Sequence, residues 1–153
     1  MVDPIDPHAE SSAIYTYFGL DPRDSRSAGR LVDACFEEGI ARYVTAGVAS
    51  CDAYLQRTLW GHWEICVRTG LPRRRVIERV LHEVTEWWLH EAGYRGEDID
   101  LLADAIAAAM LLQAAPGRAP RTRLRSSSSK TQHSGAAELF RIVRHGLPSP
   151  QRV

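Results

Sequence analysis

Three side chains that commonly bind metals recur at four-residue intervals in the middle of the chain, at His82, Glu86 and His90. Residues four apart on an α-helix lie on one face, and imidazole and carboxylate groups at that spacing can share a divalent cation. The apolar residues of the same segment fall on the opposite face, so we expect all three side chains to face water. His82 and His90 are also two turns apart, which is too far for one ion. The sequence therefore predicts no metal ligands here.

A second set of candidates pairs an arginine with a histidine a few residues later. Four residues separate Arg57 from His62, and six separate Arg75 from His82. An all-helical domain with this Arg-x4–6-His pattern resembles the HEPN ribonucleases, and the resemblance implies RNA cleavage by paired Arg and His residues from two subunits. The alternative is structural. His62 falls on the apolar stripe of a predicted helix, which favours a buried, hydrogen-bonded histidine.

A third candidate is an arginine-rich helix start, where Arg73, Arg74 and Arg75 follow Gly70. The segment resembles the turn and recognition helix of helix-turn-helix proteins, whose small, glycine, apolar and valine positions are matched here by Cys66, Gly70, Leu71 and Val76. The resemblance implies that the three arginines meet DNA. Their charges also oppose the helix dipole, which a bound phosphate would offset.

The same segment departs from the helix-turn-helix pattern, because Arg79 occupies the next inward position and Val80 comes one place late. Nearby acidic residues could also neutralise the arginines, namely Glu64, Glu78 and Glu83. An ordinary corner between two helices is therefore the alternative interpretation.

Two features predict self-association of the folded body. The segment Ile99–Leu112 is apolar except for Asp100 and Asp104, so as a helix it needs cover on nearly every side. Four tryptophans at helical spacing add apolar surface typical of a core or a subunit interface, with a ligand pocket as the alternative; they are Trp60, Trp63, Trp87 and Trp88. We therefore expect a homo-oligomer.

The apolar spacing that positions these candidates predicts an all-α bundle of about five helices. The first covers about residues 9–18, and one or two more cover residues 25–69. Another begins at Pro72 and runs to about Ala92, and a further helix covers Ile99–Leu112. We place the compact body at residues 1–115, a disordered basic Ser/Arg/Pro linker at 116–135 and a short amphipathic docking segment at 136–153.

Charge divides the chain in the same place. Residues 1–115 hold 11 arginines against 18 acidic residues, whereas residues 116–153 hold eight basic residues against Glu138. The basic tail predicts additional nucleic-acid contacts at Arg121, Arg123 and Arg125. The final segment predicts a partner-docking face formed by Leu139, Phe140, Ile142 and Val143.

Composition also limits the class of protein. The three cysteines are scattered and form no CxxC pair, the start is acidic, and no stretch is apolar enough to span a bilayer, so we expect a cytoplasmic protein without membrane association. No complete catalytic constellation is evident, and we predict no catalytic residue and no cofactor. The sequence favours a non-catalytic interaction protein that contacts DNA or RNA. The alternatives are an adaptor subunit that docks a protein partner, and a HEPN-like ribonuclease or metal-binding bundle.

Overall fold

The computed structural model describes residues 4–45 and 51–113, which form an α+β fold with four helices and a three-stranded sheet. In chain order the elements are α1 (Pro7–Tyr17), α2 (Ser27–Glu37), β1 (Ala41–Val44), β2 (Ala53–Arg57), β3 (Trp63–Arg68), α3 (Arg73–Glu91) and α4 (Ile99–Gln113).

The prediction of an all-α bundle is wrong, and the error lies in residues 25–69. Among the described residues of that range, Ser27–Glu37 is the one helix, and residues on either side of the undescribed 46–50 supply the three strands. Gly39 and Gly61 adopt positive φ angles of 74° and 79°, a conformation that favours glycine and ends a regular element. Each strand has six residues or fewer. In strands this short, the apolar residues fall in pairs. When these pairs are counted along the sequence through the turns between the strands, their spacing resembles that of a helix.

The sheet has the order β1-β3-β2, so β2 lies at an edge. β1 pairs with β3 in parallel, with Ala41 opposite Ile65. β2 and β3 form an antiparallel hairpin, with Leu55 opposite Ile65. Ala41, Ala53, Ile65 and Val67 are buried and belong to the main core. One face of the sheet therefore packs on the helices.

Helix α3 is the central helix of the fold. It begins after Gly70, whose φ is 85°, and after Pro72, which suits a helix start. All six residues from Val80 to Thr85 are buried, which a helix with only one covered face cannot achieve. The sheet, α2 and α4 all pack on α3. Polar residues in the middle of α3 are therefore enclosed by neighbouring elements.

Helix α1 supports α4. Asp6 caps α1 by accepting a 3.0 Å hydrogen bond from the backbone N–H of His8. The buried Tyr15 hydroxyl donates to the Met110 carbonyl at 3.1 Å, and the Ser11 hydroxyl donates to Gln113 at 2.7 Å. These bonds fix the position of α4 against the body, and with it the acidic residues that α4 carries.

Three predicted helices are confirmed, with small differences at their ends: α1, α3 and α4. The predicted linker at 116–135 and docking segment at 136–153 lie outside the described residues. Within the described part of the chain, no helix is both long enough and apolar enough to cross a membrane.

Candidate metal centre

Three side chains with metal-ligating atoms meet where α3 packs on α4. They are His82 and Glu86 on α3 and Asp100 in the first turn of α4. One ligand atom from each lies within 4.8 Å of those of the other two. His82 is buried, Glu86 is half-buried and Asp100 is exposed, so the group opens to solvent at its α4 side. The expectation that His82 faces water is wrong, because α4 covers that side of α3.

The imidazole of His82 is oriented by a second residue of α4. Its Nδ1 lies 2.7 Å from a carboxylate oxygen of Asp104. An ionised carboxylate only accepts hydrogen bonds, so in a neutral imidazole this contact favours the tautomer with the proton on Nδ1 and the lone pair on Nε2. Metal-ligating histidines usually donate their other ring N–H to a carboxylate or carbonyl in this way. The geometry therefore prepares one ring nitrogen of His82 to bind a cation.

Two carboxyl groups of this region, those of Glu83 and Glu86, have raised pKa values. Burial, a hydrogen bond with Asp100 and the charge of Glu83 raise the pKa of Glu86 to about 7, although a His82 imidazolium would lower it. Burial likewise raises the pKa of Glu83. Glu83 and Glu86 also interact directly, and two carboxyl groups in contact repel each other when both are charged. A divalent cation at this position would relieve that repulsion.

Glu83 lies between the metal-ligating residues of α3 and the edge strand β2. It is 3% exposed. The backbone N–H of Leu55 donates a hydrogen bond to its carboxylate, and an Nη atom of Arg79 lies 3.6 Å from one of its oxygens. Both contacts favour the charged form and hold the carboxylate in one orientation.

A small apolar cavity of about 20 Å³ is separate from this group. None of His82, Glu83, Glu86 and Asp100 lines it, and its walls are Phe18, Cys35, Ile40, Leu55, Trp63, Ile65, Val84 and Trp87. It has room for about one water molecule.

The structure separates His90 from His82 and Glu86. The His90 ring stacks on Trp63, with ring centroids 5.4 Å apart. Burial and the charges of Arg95 and Arg57 lower the pKa of His90. Of the three residues spaced by four, the structure thus brings His82 and Glu86 together and replaces His90 with Asp100.

The Arg-His pairs are not brought together as the HEPN resemblance implied. Arg57 lies over the ring of Trp63 at 4.6 Å, and His62 is exposed at the end of the β2–β3 turn. The prediction of a buried His62 is therefore wrong, because residues 53–68 form a hairpin rather than a helix. Arg75 points toward the sheet, whereas His82 contacts α4.

The three arginines at the start of α3 each contact a carboxylate. Arg73 pairs with Asp33 at 2.6 Å, Arg74 with Glu78 at 3.1 Å and Arg75 with Asp52 at 2.8 Å. Cys66 lies on β3, so a strand stands where a helix-turn-helix protein has its first helix. Nucleic-acid binding by Arg73, Arg74 and Arg75 stays a prediction.

The predicted sites in the C-terminal tail lie outside the described residues. These are the basic positions Arg121, Arg123 and Arg125 and the apolar positions Leu139, Phe140, Ile142 and Val143. Docking of a protein partner and self-association likewise stay predictions.

Sequence reasoning missed Asp100 and Asp104 as partners of His82, and it missed Glu83 as a buried acid on the same helix. Two signals were present. The first is the pattern His82-Glu83-x-x-Glu86, in which two metal-ligating side chains lie one helical turn apart and an acidic residue follows the first. The second is the pair Asp100 and Asp104, which interrupts an otherwise apolar helix. Neither signal reveals that the two helices face each other.

No family model matches the sequence, and no curated protein or solved structure matches it.

Proposed function

We propose that this protein is a zinc-dependent hydrolase that cleaves peptide bonds. The observation that carries the proposal is the convergence of His82, Glu86 and Asp100 within 4.8 Å. Catalytic zinc sites use three protein ligands, drawn from nitrogen and oxygen donors, and leave a fourth position for water. Imidazole favours zinc over magnesium or calcium, which prefer oxygen ligands alone.

The sequence of α3 supports the same chemistry. In metalloproteases whose helix carries His-Glu-x-x-His, the first and last residues bind zinc and the glutamate is the general base. Here His82 and Glu86 occupy the ligand positions, a carboxylate replaces the second imidazole, and Glu83 is the intervening acid. The base in this proposal is Glu83, which the Leu55 N–H and Arg79 orient.

The proposed reaction is hydrolysis of an amide. A zinc ion held by His82, Glu86 and Asp100 would supply a polarised water of lowered pKa. Glu83 would accept a proton from the water whose oxygen adds to the carbonyl carbon. The carbon–nitrogen bond then breaks, and Glu83 returns the proton to the leaving nitrogen, so that the products are a carboxylic acid and an amine.

The edge strand favours an extended polypeptide as the substrate. The Arg68 N–H donates to Asp52 O at 2.9 Å and the Thr58 N–H donates to His62 O at 2.8 Å. These bonds fix which residues of β2 hydrogen-bond with β3. The backbone N–H and C=O groups of Ala53, Leu55 and Arg57 therefore point away from β3. Among the described residues no strand pairs with that side of β2, and the Leu55 N–H on it donates to Glu83, so the proposed base lies beside this edge. Edge strands bind extended peptides by adding a strand.

A hydrolysis assay tests this function. The full chain, loaded with Zn²⁺, is incubated with reduced carboxymethylated lactalbumin, and new amino termini are counted. We expect cleavage that a chelator stops, and a kcat roughly 10²- to 10⁴-fold lower in Glu83→Gln. The matched control is Glu78→Gln, which alters a glutamate on the same helix that pairs with Arg74. Absence of cleavage by the zinc-loaded chain, or equal activity in Glu83→Gln, would contradict the proposal.

A further inference from the structure

Helix α4 presents an apolar face to solvent. The helix packs on α1 and α3, and its buried side chains lie on that side. On the opposite face Leu101 and Leu112 are 71% and 70% exposed, and Ala105 and Ala108 between them are also exposed. These four residues, together called the α4 stripe, follow one another at intervals of four, three and four, which places them on one face of a helix. The described part of the chain therefore leaves both leucines largely uncovered.

The α4 stripe has the same spacing in both directions along the helix. Read from either end, it is leucine, alanine, alanine and leucine, with intervals of four, three and four residues. A two-fold axis midway between Ala105 and Ala108 therefore relates the stripe to an antiparallel copy of itself. In that arrangement Leu101 faces the partner's Leu112, and Ala105 faces the partner's Ala108. Self-complementarity of this kind is what a two-fold interface between identical chains requires.

The side chains of the α4 stripe suit a close contact between two helices. Helix axes approach to about 8–10 Å depending on the side chains at the contact, and the central alanines allow the shorter distances. The leucines at both ends then leave water, which is the main favourable contribution to association. A contact along four residues of each helix buries less than about 1,200 Å², the size of weak and transient interfaces. We therefore expect dimerisation to depend strongly on concentration.

The charged residues of α4 lie outside the stripe. Asp100 and Asp104 are on the side of the helix that meets α3, where Asp100 belongs to the candidate metal centre and Asp104 contacts His82. Contact between two α4 stripes therefore does not place a carboxylate in the middle of the interface, where an unpaired charge would oppose association.

We propose that the α4 stripe is a homodimer interface in which two α4 helices pack antiparallel. The occupant is a second copy of the chain, because the stripe is complementary to itself about a two-fold axis. This inference identifies the surface for the self-association that the sequence predicts. It is independent of zinc binding and of hydrolysis.

Sedimentation equilibrium of the full chain, from micromolar to millimolar concentration, tests the interface. We expect the wild type to shift from monomer to dimer, and the double variant Leu101→Ser/Leu112→Ser to have a dimer dissociation constant at least about tenfold higher. Both leucines are exposed, so the variant should fold like the wild type, which circular dichroism checks. The matched control is Leu59→Ser, which alters a fully exposed leucine of the β2–β3 turn and should dimerise like the wild type. A wild type that stays monomeric throughout, or equal dimerisation by the double variant, overturns the proposal.

Disulfide trapping tests the antiparallel arrangement. Leu101→Cys and Leu112→Cys are made separately in a full chain whose exposed Cys51 is replaced by serine; Cys35 and Cys66 are buried. In the proposed dimer the two copies of residue 101 lie roughly 16 Å apart along the helix axes, whereas the Cα atoms of a disulfide lie within about 7 Å. An oxidised mixture of the two variants should therefore give a covalent dimer with one chain of each, and neither variant alone should do so. Cross-linking of either variant to itself, or none in the mixture, overturns the antiparallel arrangement.

Discussion

The imidazole of His82 and the carboxylate of Asp104 lie 2.7 Å apart and join the two helices that form the candidate metal centre. Asp104 is largely exposed, whereas the His82 side chain is 9% exposed. Because the carboxylate accepts from Nδ1, it fixes both the ring orientation and the nitrogen that keeps its lone pair.

We expect Asp104→Asn to weaken zinc binding by roughly 10- to 100-fold, because an amide can donate to Nδ1 and no longer selects the same tautomer. Calorimetric titration of the full chain with Zn²⁺ measures the change. Asp98→Asn is the control, since Asp98 accepts a hydrogen bond from Tyr94 instead. Equal zinc affinity in Asp104→Asn and the wild type would show that the contact has no part in binding.

The raised pKa of Glu86 predicts how the stability of the metal-free protein depends on pH. The unfolded carboxyl titrates near 4.5 and the folded one near 7, so the folded state holds a proton that the unfolded state releases between these values. The contribution of Glu86 to the free energy of unfolding is complete below about pH 4.5 and declines as the pH rises to about 7.

Urea denaturation in the presence of a chelator, repeated at several pH values, tests this dependence. Glu86→Gln cannot lose a proton, so the difference in stability between variant and wild type should grow in favour of the variant as the pH rises from about 4.5 to about 7. A constant difference across that range would contradict the raised pKa.

The contact between α1 and α4 predicts a separate effect on stability. Tyr15→Phe removes the hydroxyl that donates to the Met110 carbonyl, which should lower the free energy of unfolding by about 1 kcal/mol. Tyr43→Phe is the control, because the Tyr43 side chain is 52% exposed. Chemical denaturation measures both variants. If Tyr43→Phe lowers the free energy of unfolding by as much as Tyr15→Phe, the hydrogen bond from Tyr15 is not the cause of the loss.

The sequence predicted most helices correctly and the sheet not at all. The helix of Ile99–Gln113 is apolar except for Asp100, Asp104 and the terminal Gln113, and α3 begins after Gly70 and Pro72, so both have strong local signals. The strand Trp63–Arg68 contains the run Ile65-Cys66-Val67, all of it buried. A short apolar run that is covered on both faces has no two-residue alternation, so local pattern cannot distinguish it from a helix.

The sequence indicated only part of the candidate metal centre. The four-residue spacing of His82 and Glu86 was recognised, but their face of α3 was expected to be exposed because it is polar. The structure buries that face under α4, which brings Asp100 and Asp104 to it. A polar helix face can face solvent or form part of an enclosed site. Which of the two occurs depends on how the helices pack, and sequence periodicity gives no information about that packing.

Zinc titration of the wild type, His82→Ala and His90→Ala is the most direct test of the central claim. The two histidines lie on the same helix, each four residues from Glu86, and only His82 belongs to the group with Asp100. We predict about one zinc ion per wild-type chain, an affinity at least about tenfold lower in His82→Ala, and wild-type affinity in His90→Ala. The claim is contradicted if the wild type binds no zinc, or if the two variants lose affinity equally.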